Sequence, residues 1–307
     1  RIAPINNATA DNAFAATVDL GLRDLMLSGG LTVEAITNAR VDANSDGFFF
    51  SGLFEFGANH AIANTETTVD VALTFLTPGR VDGRMDVVAR GTDDVKSRAR
   101  SSGGAAITIF GAKSLTDTDA TTKVRLAGAG GISVGGTARI ETERTIDLDN
   151  SSNSYHVSVA DAGANRQENA IANTMAMVFD TVLEAAHITT TARNTITKSD
   201  SGFGGFNAVM GRFAPAFTTS GMQSVTRVDT DTLVELRPDA VLRQVGTAGG
   251  GVTMRVRETY DMRDAVKIDT ISPLTFPKAV SVIEIETARA DILIRSAGIS
   301  AVGDVDL

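Results

Sequence analysis

A chain of 307 residues with 43% hydrophobic side chains can bury a core, yet aromatics make up only 5% of it, Trp and Cys are absent, and Tyr occurs only at Tyr155 and Tyr260. The net charge of −9 disfavours nucleic acid and an anionic membrane surface as partners, because both need a positive field. The lack of cysteine excludes thiolate metal sites and cysteine nucleophiles. So few rings suit a thin interior of Ala, Val, Ile and Leu rather than a thick globular core, and 29 glycines with 6 prolines do not make a collagen-like chain.

In chain order, the first element is TVDLGLRDLML (Thr17–Leu27), followed by a glycine turn and a second alternating run, SGGLTVEAI (Ser28–Ile36). Alternation of apolar and polar residues predicts strands with one face buried and one wet. Next comes Asp42-Ala43-Asn44-Ser45-Asp46-Gly47, which matches the first half of a calcium loop. Oxygen ligands at alternate positions and a glycine at the sharp turn are what calcium needs, which makes Asp42, Asn44 and Asp46 the candidate ligands. The twelfth position, where a bidentate acid belongs, is Leu53, so a plain turn competes with that reading. FFFSGLFEF (Phe48–Phe56) is the most apolar stretch and is too short to cross a membrane. Phe48, Phe49, Phe50, Phe54 and Phe56 form a candidate contact patch, with Phe203, Phe206, Phe213 and Phe217 as further members. Internal stacking between neighbouring coils is the alternative role for these rings.

GANHAIANT (Gly57–Thr65) leads into the strand pattern TTVDVALTF (Thr67–Phe75), and the phrase returns as GANRQENAIANT (Gly163–Thr174). Asn64 and Asn173 are 109 residues apart, roughly two units of 50 to 55. Glycine turns followed by strands mark the same unit at VDGRMDVVA (Val81–Ala89), AGGISVGGTARIET (Ala129–Thr142), GGGVTMRVRE (Gly249–Glu258) and AVGDVDL (Ala301–Leu307), while HITTTARNTIT (His187–Thr197) fills the gap without glycines. Asn169–Ala186 places Ile171, Met175, Val178, Val182 and Ala186 near helical spacing; because the matching first copy continues as strand, strand is expected here too. Glycine at a corner serves where φ is positive or a side chain does not fit. A unit of roughly 50 residues made of short strands buries its apolar face only by stacking on its neighbours. With a coil of roughly 20 to 25 residues, the chain would make on the order of 13 coils over about 60 Å.

Catalytic signals are weak. His60, His156 and His187 each stand without a neighbouring metal-spaced ligand, and the acidic clusters Asp117/Asp119, Asp147/Asp149 with Asn150, and Asp229/Asp231 read as exposed strand faces or turns. A carbohydrate-active reading would draw on Asp70, Glu141, Glu143 or Asp147 projecting from neighbouring coils. No residue is assigned a catalytic role and the chain is not expected to be an enzyme. GAGGISVGG lacks the lysine and helix that phosphate binding requires.

GISAVGDVDL, AGAGGISVGGTARIET, VDGRMDVVARG and the duplicated GAN…AIANT resemble the repeats of large secreted bacterial surface proteins, the filamentous haemagglutinin-like adhesins and leukotoxin-like giant proteins of Gram-negative bacteria. The resemblance implies an all-β chain wound as an elongated right-handed parallel β-helix, a β-solenoid with irregular outward loops. Residues 1–307 are then one solenoid segment of about six imperfect units of roughly 50 residues, an excerpt of a longer chain. The implied work is that of a non-catalytic shaft or adhesin segment at the cell surface. The alternatives are a self-assembling extracellular filament or sheath subunit, and a lyase or tailspike-like hydrolase. Partners would be other segments of the same giant chain, identical chains, or a host or cell-surface glycan or protein. Nucleic acid and membrane insertion are not expected, and no cofactor is expected besides calcium at Asp42, Asn44 and Asp46.

Overall fold

The computed structural model describes residues 2–199, 212–213, 217–246, 249–264, 266 and 270–307. Every regular element among them is a β-strand. The first pass of the chain is β1 (Ile2–Leu22), β2 (Met26–Leu27) and β3 (Leu31–Phe50); the second begins β4 (Phe54–Phe75), β5 (Gly79–Val81) and β6 (Met85–Ala127). There follow β7 (Ile132–Asp180), β8 (Val182–Ser199), β9 (Arg212–Phe213), β10 (Phe217–Leu236), β11 (Val241–Gln244), β12 (Val252–Met262), β13 (Thr270–Ile271), β14 (Thr275–Ile294), β15 (Gly298–Ser300) and β16 (Val305–Asp306). All strand pairs are parallel, and hydrogen bonds join the sixteen strands into one sheet. Asn169–Ala186, with its near-helical spacing, is strand, as the comparison of the two copies predicts.

The register shows how the sheet is made. Val18 pairs with Val71, Val71 with Val124 and Val124 with Met177. The same step of 53 separates Asn64 from Asp11, Ser97 from Asn150 and Ala112 from Asn165, which are hydrogen-bonded from rung to rung. The offset falls to 50 between Ile140 and Thr190 and rises to 64 between Ile188 and Val252. One rung is therefore a long strand, a corner, a strand of two to four residues, a glycine corner, a second long strand, and an edge leading to the next rung. This corrects the expectation of a coil of roughly 20 to 25 residues, because a rung more than twice as long is needed to bring like strands into register. The chain makes five such passes and the first part of a sixth, so the stack rises only about 24 Å, whereas a strand of 20 to 22 residues stretches the rung itself to about 70 Å.

The two long strands of a rung face each other as two layers. Ser97 Oγ donates to Ala61 O at 2.9 Å and Thr67 Oγ1 to Asp93 Oδ1 at 2.8 Å, both across the gap. Strict alternation in β3 and β4 turns every second side chain into that gap. Beside the short strands the interior is mainly apolar, with Thr181 and Gln244 buried among it, and columns such as Leu73, Leu126, Phe179 and Leu236 run through it, continued by the part-exposed Leu20 and Ile294 of the outermost passes. A second apolar cluster of smaller side chains, including Ala61, Ala63, Val95, Ala99 and Ile146, lies further along the rung. Between these clusters runs a polar seam containing Thr67, Asp93 and Arg144.

Glycine serves two close approaches. At the corner before the second long strand, Gly83 donates its N–H to Gly29 O at 2.9 Å, and a Cβ on Gly83 would lie 2.8 Å from that oxygen. In the seam, a Cβ on Gly91 would overlap Arg144 Nη1. Arg144 thus fills the space that Gly91 leaves in the rung beneath, and reaches Asp93 in an ion pair from which solvent is fully excluded. Burial holds the Asp93 carboxyl above its ordinary value and the Arg144 guanidinium below its own, and their mutual attraction offsets this only in part.

The duplicated phrase has an unexpected geometry. Gly57, Ala58 and Asn59 stack through Phe110, Gly111 and Ala112 onto Gly163, Ala164 and Asn165, a separation of two full rungs. Three extra residues in the second copy then shift its AIANT tail. An odd shift reverses the faces: Asn64 is outward and donates to Asp11 Oδ1 at 2.7 Å, whereas Asn173 is buried. The interval between Asn64 and Asn173 is therefore two rungs plus this insertion.

Gly91→Ala is expected to lower stability by about 1–3 kcal/mol through overpacking against Arg144. Gly29→Ala, where a Cβ meets nothing within 4 Å, should change it by less than about 0.5 kcal/mol. Arg144→Met alone strands a buried carboxylate and should cost about 3–5 kcal/mol, most of which the double variant Arg144→Met/Asp93→Val recovers. Urea unfolding of the four variants checks both expectations, and a double variant as unstable as Arg144→Met alone would contradict the second.

Candidate functional site

Alternation decides the fate of the aromatic stretch. Phe49 has the inward parity of β3: its ring lies 5.3 Å from Phe110, which stacks on His156 at 4.5 Å inside the rung. Phe48 and Phe50 have the outward parity and are 76% and 80% exposed, while Phe54 and Phe56 project from the outer face of β4 at 48% and 41%. The patch read from sequence is thus divided, with four rings outside and one inside. Phe217 joins the outer face and packs 5.9 Å from Phe276; Phe203 and Phe206 lie outside the described residues, and the backbone of Phe213 pairs with Val157 and Ile271.

These outward rings gather where the chain turns from the second long strand into the next rung. The turn in β6 runs through Ser102, Gly103, Gly104, Ala105 and Ala106, which leaves a floor of small residues. Gly104 must be small, because a Cβ there would lie 2.5 Å from Val157 O. Phe48 pairs with Ser102 and Ser102 with Tyr155; Phe50 pairs with Gly104 and Gly104 with Val157. Bulky, small and bulky side chains therefore succeed one another on three rungs and enclose a groove of about 660 Å³. None of the described residues lining it is charged. Leu53, Ile107, Ile109, Val157 and Val159 extend the apolar surface around the edge.

The remaining outer surface is laced with charge. Arg90 pairs in register with Glu143 and Glu143 with Arg193, with Arg90 Nε 2.7 Å from Glu143 Oε2. Arg139 also pairs with Glu141. Asp42, Asn44 and Asp46 stand on the outer face of β3 opposite Lys96, Arg98 and Arg100. The backbone there is extended strand, which sets alternate side chains about 6.8 Å apart, so the tight loop that would wrap calcium is not formed at Asp42, Asn44 and Asp46. Glu141, Glu143 and Asp147 share this outer face, whereas Asp70 belongs to the other layer, on β4. Among the described residues no group of three or more His, Asp or Glu side chains is arranged to hold a metal ion.

The histidines are dispersed. His156 is buried against Phe110 with Nε2 3.4 Å from Ser101 Oγ; His187 is exposed; and the imidazole of His60 is held below its usual value by burial and by the Lys113 charge. Two further polar clusters are not apparent from motif reading. Lys198 Nζ, Ser224 Oγ and Ser281 Oγ all donate to Asp264, at 2.7, 2.7 and 2.6 Å, tying three rungs together. Burial raises the Asp264 carboxyl, but Lys198 and the hydroxyls together outweigh this and hold it below the usual carboxylate range. Glu258 accepts hydrogen bonds from Thr230 (3.0 Å), Thr232 (2.8 Å) and the Tyr260 hydroxyl. The only sequence signal for these groups is charge at a position of inward parity.

Burial, then the bond and negative charge of Glu258, push the Tyr260 hydroxyl up to about 12. A raised folded-state value stabilises the protein below the unfolded phenol's pKa near 10 and loses that contribution as pH climbs toward about 12. Absorbance titration at 295 nm of a Tyr155→Phe variant isolates Tyr260 and should show its midpoint near 12; a midpoint near 10 would contradict the buried bond to Glu258. Comparison with known protein families, curated proteins and solved structures finds no match for this chain.

Proposed function

We propose that the chain is a right-handed β-solenoid that works as a non-catalytic structural shaft within a larger exported bacterial surface protein. The single observation that carries the reading is the parallel register, which recurs once per rung through every pass from β1 to β14. An interior closed by side chains, and outer faces bound rung to rung by ion pairs, suit a load-bearing element. Right-handedness follows the rule that governs nearly all parallel crossovers. Export and surface location rest on the resemblance of the glycine-turn repeats.

A shaft of stacked rungs should yield to force one rung at a time. Pulled by its ends in an atomic force microscope, the chain should lengthen in steps of about 18 nm, the extended length of roughly 53 residues at ~3.5 Å each. Release of the whole chain in one step at low force, or turnover of a polysaccharide by the purified protein, would overturn the reading.

A further inference from the structure

We infer that the aromatic edge is a lateral contact surface for a second copy of this chain. The first argument is area. On the groove side of the edge Phe48, Phe50 and Tyr155 are 76%, 80% and 55% exposed. At roughly 200 Å² per ring side chain they present on the order of 400 Å² of apolar surface. The exposed aliphatics Leu53, Val157 and Val159 bring the patch to roughly 600 Å² per partner, which for two copies reaches the lower bound of a stable interface. That is as large as the largest apolar patch a soluble monomer ordinarily leaves open.

The second argument is shape. The outer face near the edge alternates ridge, groove and ridge over three rungs: Phe48 and Phe50, then Ser102 and Gly104, then Tyr155 and Val157. The ridges lie about 9.6 Å apart, two rung spacings, which accommodates one row of rings. A two-fold related copy supplies that row: its Phe48 and Phe50 enter the groove of the first copy and receive the first copy's ridge in return, as an isologous contact demands. The third argument is charge. The groove is uncharged, and the next outward column, with Asp46 beside Arg100, furnishes a mixed polar rim. At net charge −9 two copies repel, so added salt should strengthen the contact rather than weaken it.

Sedimentation velocity of the purified chain from about 1 to 100 µM, at low and raised salt, tests this. The expected result is a monomer–dimer equilibrium that tightens with salt. Phe48→Asp/Phe50→Asp, and separately Tyr155→Asp, should weaken it at least about tenfold, each with unchanged circular dichroism because these side chains point outward. Ser102→Tyr fills the groove and should also abolish the dimer; general stickiness would instead increase, so a stronger association in this variant would overturn the proposal. It also fails if the folded chain is monomeric throughout, if dimers ignore all three changes, or if the monomer's edge takes up a polyproline peptide, an oligosaccharide or phosphatidylcholine vesicles instead. A monomer that still unfolds rung by rung would remove the lateral contact and leave the shaft reading standing.

Discussion

Each inward side chain of this protein is inward because its partner one rung away is inward as well. Parallel pairing from rung to rung ties the parity of every strand to that of its neighbours, and burial in the gap between layers enforces it. A slip by one residue would expose Val69, Val71, Leu73 and Phe75 together and bury the polar residues between them. The consequence is visible in the duplicated phrase, where three inserted residues put Asn64 outside and Asn173 inside.

Parity alone does not exclude a slip of two residues, which keeps every face. The buried polar groups remove that freedom. Arg144 fits over Gly91 and over no side chain with a Cβ. Asn150 Oδ1 accepts Ser97 N–H at 3.0 Å and Asn165 Oδ1 accepts Ala112 N–H at 3.0 Å, each across one rung. Further along, Thr116, Asn169 and Thr226 form a hydrogen-bonded ladder through three rungs. A two-residue shift would break these matched pairs, for example by setting Asn150 against Val95 or Ala99, and each buried polar group left unbonded would cost about 1–3 kcal/mol. Apolar columns supply the cohesion, and the matched polar pairs select one register.

The all-β, parallel character is legible in the alternation and in the glycine turns that return at regular intervals along the chain. At Gly83 the corner is too tight for a Cβ, because the chain there passes against Gly29 O, whereas Gly29 itself has open space. The coil length is not legible, for a physical reason. The turn signal at the aromatic edge differs from rung to rung: Ser51-Gly52 breaks the strand in the first rung and Gly103-Gly104 marks the bend in β6, whereas β7 runs around the edge in an unbroken alternation. A reader counting strands between glycines cannot see that the bend divides two layers. The division of Phe48 and Phe50 from Phe49 follows from parity once β3 is recognised as a strand. Asp93 and Arg144 are visible too, as charges at inward positions one rung from Ile146 and Gly91 respectively, but only a known rung length makes that arithmetic meaningful.

The account turns on rung length, and the absence of native cysteine makes that length directly measurable. Nitroxide labels on Thr68→Cys and Thr121→Cys occupy adjacent rungs on one outer face, whereas labels on Thr68→Cys and Arg90→Cys lie on opposite faces of one rung. Electron paramagnetic resonance should show strong dipolar broadening for the first pair and little for the second. Broadening in the second pair with none in the first would mean that the coil is short, and that the long two-layered rung is wrong.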